Sequence, residues 1–211
     1  MEISIRLISF LFLIVSITLH EFFHGLAADH MGDPTPRSLG RLTLNPKAHL
    51  DLFGTILLPL ASVITGIPTI GWAKPVPIDP FNFRHPRRDE IIVSFAGPFA
   101  NITLAVITAL ILRFIPASSM IAYQLGALFI LINVSLFVFN LLPIPPLDGS
   151  HIFLNLLPPE SGHKWAEAFD RYGFVLLIIL VFLPLHQGQT ILNLIVSPLA
   201  RSIFDLLLPA V

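Results

Sequence analysis

An apolar run, Ile3–Leu19, leads directly into His20, Glu21 and His24, and this junction constrains the fold more than any other feature of the chain. Apart from Arg6 and a few hydroxyl residues the run is apolar, and its length suits a membrane-spanning helix. Ionisable side chains at membrane depth are costly and mark a function by default. The fold therefore has to accommodate three ionisable groups at the end of a spanning helix.

The spacing of the two histidines predicts a metal site. His20 and His24 are four residues apart, so a helix places both imidazoles on one face, where they can bind one ion. Glu21 lies beside them and can accept a proton from water that the metal activates. The pattern H-E-x-x-H fixes only three positions and arises by chance in many chains. Its position in an apolar helix favours a functional site over packing.

Composition places the chain in the membrane. It has 211 residues, of which 55% are hydrophobic and 12% charged, whereas soluble domains carry about 25% charged residues. The formal net charge of −1 gives no reason to expect a nucleic-acid partner. The chain has no cysteine, so His, Asp or Glu must hold any metal. The apolar N-terminal run has no small-residue cleavage site after it, so we expect it to be retained.

Apolar stretches predict an all-α polytopic membrane protein. Helix candidates of spanning length are 3–29, 91–113, 119–142 and 189–208, and a shorter one is 172–185. The stretch Leu52–Ile70 is ambiguous because its glycines and prolines disfavour a continuous helix. The Pro-rich stretch Gly71–Arg88 indicates extended or looped structure.

A third metal ligand has to come from another part of the chain, because catalytic zinc usually has three protein ligands. The best candidate is Asp148, which follows an apolar helix and a Pro-broken segment that begins after Asn140. Irregular backbone at membrane depth is tolerated where it lines a cavity. The alternative is that Asp148 caps a turn, because Asp-Gly is a common turn pair.

The topology depends on Leu52–Ile70. If this stretch spans the membrane, His24 and Asp148 lie on different sides and cannot share an ion. If it is re-entrant, both lie on one side, together with nine of the 12 basic residues. A full span would divide those nine charges six to three. The positive-inside rule favours the re-entrant topology, with the N-terminus outside and the metal site toward the cytoplasm.

Several motifs in order resemble the site-2 protease family of intramembrane zinc metalloproteases. Besides H-E-x-x-H, the family's second motif, an Asn followed by prolines and L-D-G, matches Asn140–Gly149. Asn45–Asp51, Gly71–Pro77 and Ala96–Asn101 look like segments of the family's small single-domain members. The resemblance extends to about residue 155.

This resemblance implies a three-helix catalytic core, with a re-entrant or extended segment and additional C-terminal helices. It implies one Zn2+ per chain, with His20, His24 and Asp148 as ligands and Glu21 as general base. It further implies cleavage of membrane-protein substrates within the lipid bilayer of a prokaryotic cell membrane. We expect one peptidase domain over 1–211, with its core in 1–155 and C-terminal helices in 165–211.

Other residues have two interpretations. Asn140 either supports the oxyanion or satisfies carbonyls at a helix end. Gly71–Pro77, with Gly71, Trp72 and Lys74, either holds substrate by edge pairing or is a connecting loop. His49 with Asp51 either supports the metal site or caps local structure.

Two further residues attract attention for their positions. His151 is close in sequence to Asp148. Asn101 lies in an apolar helix, where we expect it to bond between packed helices.

Two other functions compete with proteolysis. A non-catalytic membrane protein could use this fold to bind clients, but it would not need Glu21 beside the ligands. A metal transporter needs a series of polar groups across the membrane, and the helices 91–113 and 119–142 offer almost none. The sequence does not indicate an oligomeric state.

Overall fold

The structure is a computed structural model that describes residues 2–65, 72–116, 118–184 and 190–208. Within these ranges the chain is helical and forms no named strand. Its α-helices are α1 (Glu2–Met31), α2 (Thr35–Ser38), α3 (Leu58–Thr65), α4 (Pro86–Leu112), α5 (Met120–Asn140), α6 (Asp148–Leu156), α7 (Pro159–Phe182) and α8 (Ile191–Leu207). Two short 3-10 helices (Pro46–Ala48 and Pro80–Asn82) and one π-helix (Leu52–Leu57) complete the elements.

In the described part of the chain three helices are long and apolar enough to span a membrane, and they confirm the three longest predicted spans. They are Ser4–Met31 within α1, all of α4 and all of α5. Five hydroxyl groups inside these helices donate to carbonyls four residues earlier: those of Ser9, Ser16, Thr18, Thr103 and Thr108. Ser16 donates to the Phe12 carbonyl and Thr18 to the Ile14 carbonyl, so neither presents an unpaired polar group to lipid.

The three spanning helices alternate in direction. The Asn101 side chain in α4 bonds to both His20 and the Ser16 carbonyl in α1, while Val93 in α4 contacts His24. Residue numbers therefore rise along α1 as they fall along α4, so the two helices are antiparallel. Because α5 also packs against α4 and leads to Asp148 beside His20, α1 and α5 run in the same direction.

Small side chains allow α4, α5 and α8 to pack closely. Ala105 and Ala109 of α4 lie against Ile130 and Val134 of α5, and Ala200 of α8 completes this buried cluster. In a membrane such packing replaces the hydrophobic effect as the main attraction between helices. The buried residues of this cluster come from α4, α5 and α8, so these three helices are joined without the histidine side chains.

The ambiguous stretch forms two short helices in its described part. Leu52–Leu57 has six residues and α3 has eight, which together reach at most about 21 Å at 1.5 Å per residue. A bilayer's hydrocarbon core is about 30 Å thick. Residues 66–71 lie outside the described part. The short helices and the parallel α1 and α5 agree with the re-entrant topology.

The C-terminal region differs in part from the prediction. Helix α7 begins at Pro159, well before the predicted 172–185. The prediction rested on apolar runs, and the first half of this helix is polar. That half is held by an aromatic cluster in which Phe153 of α6 contacts Trp165 and Phe169 of α7. Helix α8 lies within the predicted 189–208, but its 17 described residues are not among the helices long and apolar enough to span a membrane.

Candidate metal centre

Helix α1 brings the two histidines together as their spacing predicts. The Nε2 atoms of His20 and His24 are 3.0 Å apart, and both side chains are buried. Four residues make slightly more than one helical turn, so the rings lie one above the other on the face that packs against α4. Both rings therefore present the same nitrogen to one point inside the bundle.

Asp148 completes a group of three potential ligands. Its Oδ2 lies 3.2 Å from His20 Nε2, and its Oδ1 lies 3.3 Å from His24 Nε2. The chain reaches this position because α5 ends at Asn140, an irregular segment follows, and α6 begins at Asp148 itself. A Cβ atom on Gly149 would lie 2.3 Å from the Leu141 carbonyl oxygen. Only glycine therefore allows the segment to fold back this tightly.

Hydrogen bonds fix which imidazole nitrogens carry protons. His24 Nδ1 lies 2.7 Å from the Val93 carbonyl, which can only accept, so this nitrogen donates. His20 Nδ1 lies 2.7 Å from Asn101 Oδ1 and donates in the same way. In the neutral rings both Nε2 atoms then carry lone pairs and face the Asp148 carboxylate. Three electron-rich atoms at such distances repel each other unless a cation lies among them.

These three residues fit a zinc ion. Zinc bonds of about 2.0–2.1 Å at tetrahedral angles separate neighbouring donor atoms by about 3.3 Å, close to the spacing observed here. The Oδ2 atom of Asp148 is buried and has no hydrogen-bond partner, which is costly without a cation. Two imidazoles and one carboxylate also match the donor types of catalytic zinc sites.

Gly97 of α4 provides the space for the two rings. A Cβ atom at this position would lie 2.3 Å from His24 Nε2 and 2.6 Å from His20 Nε2. Any side chain here would occupy the point to which the ligands converge. The atoms nearest to such a Cβ all belong to the two imidazoles, so glycine at this position leaves room for the rings.

Glu21 lies next to the ligands and is held by another part of the chain. Its Oε2 accepts a hydrogen bond of 2.8 Å from the Val76 N–H, and the side chain is buried. Arg41 is also buried, and donates to the Lys74 carbonyl two residues before Val76. Burial lowers the pKa of the Arg41 guanidinium, which the nearby Glu21 carboxylate opposes. No sequence pattern predicts that Val76 and Arg41 lie close to Glu21.

The ligands open into a cavity of about 920 Å3. Asn140 and His151 belong to its wall, together with Trp72, and the Lys74 side chain does not. Asn140 donates its side-chain amide to the Leu136 carbonyl, as a helix-end amide does. The predicted substrate residue Gly71 lies outside the described residues. Apolar side chains of α7 complete the wall: Phe174, Leu177, Ile178 and Phe182.

The segment 72–76 presents a backbone edge to this cavity. Trp72 and Lys74 direct their backbone groups away from it: the Trp72 N–H donates to Gly54 O and the Lys74 N–H to His49 O. Their carbonyls accept from Thr55 and Arg41. In an extended chain the intervening residues point the other way. Ala73 and Pro75 line the cavity, and their backbone groups have no hydrogen bond within the described chain.

Helix α6 is fastened to α4 near the ligands. His151 Nδ1 lies 3.0 Å from Glu90 Oε1, and Arg87 donates to the carbonyls of Asn155 and Leu157 at the end of α6. The hydrogen bond to Glu90 raises the pKa of His151. These contacts hold the helix that begins at Asp148.

His49 and Asp51, which were expected either to support the metal site or to cap local structure, make local contacts. His49 is buried and bonds to the Thr43 carbonyl through Nε2. Asp51 caps the π-helix by accepting from the Phe53 and Gly54 N–H groups. Both contacts are local and agree with the capping interpretation.

The chain matches a known family along most of its length. A model of peptidase family M50 matches residues 8–123 and, in a second and overlapping segment, residues 115–183. No solved structure gives a significant match.

Curated relatives agree with this family match. "Putative zinc metalloprotease YwhC" of Bacillus subtilis is 42% identical over 181 residues, which cover 82% of this chain and 79% of the relative. "Putative zinc metalloprotease Rip2" of Mycolicibacterium smegmatis is 32% identical over 172 residues. That alignment covers 81% of this chain but 65% of the relative. The chain thus spans slightly less than two thirds of the Rip2 protein.

Proposed function

The chain belongs to peptidase family M50, the site-2 protease family of membrane zinc metalloproteases, and on this premise we propose that it cleaves membrane proteins within or near their own spanning segments. The observation that carries the proposal is that His20, His24 and Asp148 converge beside Glu21 in one cavity. Both histidines belong to a helix that is long and apolar enough to span a membrane. We assign the first three as ligands of one zinc ion and Glu21 as the general base.

Zinc in such a site activates water and polarises a carbonyl. Glu21 accepts the proton of the attacking water and later delivers it to the leaving nitrogen. The Val76 N–H holds one oxygen of the Glu21 carboxylate and so fixes its direction, while the other oxygen remains for the proton. Asn140, in the same cavity wall, assists by donating to the oxygen on which negative charge develops.

The exposed edge of 72–76 is the proposed binding site for substrate backbone. A helical substrate hides its carbonyls in hydrogen bonds, so it has to become extended before cleavage. Pairing with the Ala73 N–H and the Ala73 and Pro75 carbonyls would hold it in that form. Glu21 lines the same cavity as Ala73 and Pro75, so a peptide bound along this edge lies in the cavity that contains the base. Trp72 contributes its ring to the cavity wall, whereas Lys74 contributes through its backbone contacts.

Localisation in the cell membrane, with the site toward the cytoplasm, is part of this proposal. The loops on the metal side carry nine of the 12 basic residues, and such residues stay on the cytoplasmic side. We also propose that the whole chain acts as one peptidase domain, with its core in 1–155. The helices after it, α7 and α8, contribute the apolar wall of the cavity and the packing of α5.

A transporter is less well supported. Among the described residues, His20, His24 and Asp148 form the one group of three or more His, Asp or Glu side chains close enough to share an ion. A transport path needs several such groups in series. A single group favours one permanently bound ion over a transport path.

Cleavage of a panel of labelled transmembrane peptides by the purified full chain tests the proposal. Glu21→Gln should retain about one zinc per chain and lower cleavage about 10³-fold, because the side chain keeps its size but cannot accept the proton. Asp29→Asn is the matched control, since Asp29 is a carboxylate of the same helix that bonds to Arg37 and does not line the cavity. Equal losses in both variants would contradict the role of Glu21. Zinc binding by the wild type without cleavage of any peptide would favour a client-binding function.

A further inference from the structure

We propose that Asn101 is a positioning residue for the metal site, which holds His20 in its metal-binding orientation through a relay of buried amides that ends at Asn133. The inference rests on the proposed role of His20 as a zinc ligand. Asn101 lies in α4 and Asn133 in α5, and both side chains are fully buried. The relay therefore joins all three spanning helices at the level of the ligands.

The relay consists of short contacts. His20 Nδ1 lies 2.7 Å from Asn101 Oδ1, and Asn101 Nδ2 lies 3.0 Å from Asn133 Oδ1. The Asn101 amide also donates to the Ser16 carbonyl at 3.3 Å. Asn133 in turn donates to the Phe129 carbonyl at 3.0 Å. Each amide thus has partners at both its oxygen and its nitrogen.

The carbonyls at the ends of the relay fix its direction. The Ser16 and Phe129 carbonyls can only accept hydrogen bonds, so they must face the nitrogen ends of the two amides. The oxygen of Asn101 then faces His20, which must present a protonated Nδ1. The proton is thereby kept off Nε2, the atom that faces Asp148. The amide pair selects the tautomer of His20 that can bind a metal.

The two histidines differ in the group that accepts the hydrogen bond from Nδ1. His24 donates to the backbone carbonyl of Val93, a partner that no substitution removes. His20 donates to a side chain, and that side chain is anchored in a third helix through Asn133. Groups that hold the second nitrogen of a ligand histidine orient the ring and raise its basicity. The position of His20 therefore depends on one residue that can be replaced.

Zinc affinity of the purified full chain, measured by competition with a chelator, tests this inference. Asn101→Leu preserves volume but removes the acceptor, and should weaken zinc binding about 10- to 100-fold. Asn101→Asp restores an acceptor for the Nδ1 proton and should recover most of the affinity. A role in packing alone predicts the reverse order, because leucine fits an apolar site better than a buried carboxylate. Asn133→Leu should have a smaller effect, because it leaves the contact with His20 intact.

Thr108→Val is the matched control. It removes a partly buried hydroxyl of α4 that bonds only to the Leu104 carbonyl of the same helix, so zinc affinity should be unchanged. Zinc affinity of Asn101→Leu within twofold of wild type would overturn the inference while leaving the zinc site intact. Absence of zinc binding by the wild type would instead overturn the proposed metal centre and this inference with it.

A measurement on the metal-free wild-type protein tests the same inference and does not depend on whether a variant folds. Nitrogen-15 spectra of selectively labelled histidine distinguish protonated Nδ1 from protonated Nε2. We expect His20 and His24 to carry the proton on Nδ1. A His20 ring protonated on Nε2 alone would contradict the relay.

Discussion

Two parts of the cavity wall differ in how their side chains are held. The part formed by α1, α4 and α6 carries the ionisable groups, and partners from other elements fix them: Asn101 for His20, Val93 for His24, Val76 for Glu21. The part formed by α7 carries apolar side chains only, and α7 packs on α6 and α8. Hydrogen bonds hold the side chains of the first part in defined positions, whereas the second part provides apolar contact area.

This difference separates the groups that we expect to act in catalysis from the surface that we expect to contact the substrate. Catalytic groups have to be placed within a fraction of an ångström, which buried hydrogen bonds achieve. Apolar contacts have no direction, so the α7 part of the wall can accept side chains of different substrates. Changes in the first part should therefore alter zinc binding or turnover, and changes in the second should alter substrate affinity.

The largest expected effect comes from Gly97→Ala. The added methyl group would occupy the space beside both Nε2 atoms and displace the rings. Because a misplacement of 1 Å can cost about 100-fold in rate, we expect at least that loss of cleavage together with lost zinc. Zinc content and peptide cleavage are the measurements. Gly126→Ala is the control, because the atoms nearest to its Cβ belong to the Leu112 side chain and not to the histidines. Normal zinc content in Gly97→Ala would show that the rings have more freedom than the structure indicates.

Ala73→Pro sharpens the comparison at the backbone edge. The substitution removes one N–H that faces the cavity and leaves the contacts of Trp72 and Lys74 in place. The loss of one hydrogen bond to substrate should lower kcat/KM about tenfold, with zinc affinity unchanged. Ala73→Gly keeps the N–H and should retain most activity. Equal kcat/KM in the proline variant and wild type would mean that substrate does not pair with this edge.

Ile178→Ala examines the apolar part of the wall. This side chain is partly exposed in the cavity, and each buried methylene group contributes about 0.8 kcal/mol. We expect KM to rise about fivefold while kcat and zinc affinity stay constant. Steady-state kinetics on one peptide provide the measurement. A fall in kcat at constant KM would place α7 among the elements that position the chemistry.

Asp33→Asn should have the smallest effect on catalysis, because Asp33 lies in the loop after α1. It is buried, and its carboxylate accepts from the N–H groups of Thr35 and Asp79 and from the Asn82 amide. Burial alone would raise the pKa of Asp33, but these hydrogen bonds lower it below the ordinary 3.8. The substitution should destabilise the protein by about 1–3 kcal/mol at pH 7.

The pH dependence of this effect has a definite sign. A lowered pKa in the folded state means that the ionised carboxylate contributes stability above about pH 4, and that this contribution is lost as pH falls through the folded-state pKa. Unfolding midpoints of wild type and Asp33→Asn should therefore differ at neutral pH and converge in acid. A difference that stays constant down to the lowest pH would indicate that the charge of Asp33 is not involved.

Local patterns were enough to predict a large part of this protein. The spans depend on apolar runs of about 20 residues, and the facing imidazoles depend on a spacing of four in a helix. Both properties belong to contiguous sequence. Helix α7 was misplaced at its start because its polar half is held by aromatic contacts with Phe153, which no hydropathy pattern contains. Asn101 was expected to bond between helices, but its partner His20 could not be identified.

The sequence by itself determined that the chain is a membrane protein, that His20 and His24 face one point, and that Glu21 lies beside them. Only the tertiary structure decided which distant groups complete that point: the Asp148 carboxylate, the space beside Gly97, and the partners of each ring. The physical reason is that helix geometry follows from neighbouring residues. Distances between residues far apart in sequence follow instead from how α1, α4 and α5 pack, which is set by many side chains together.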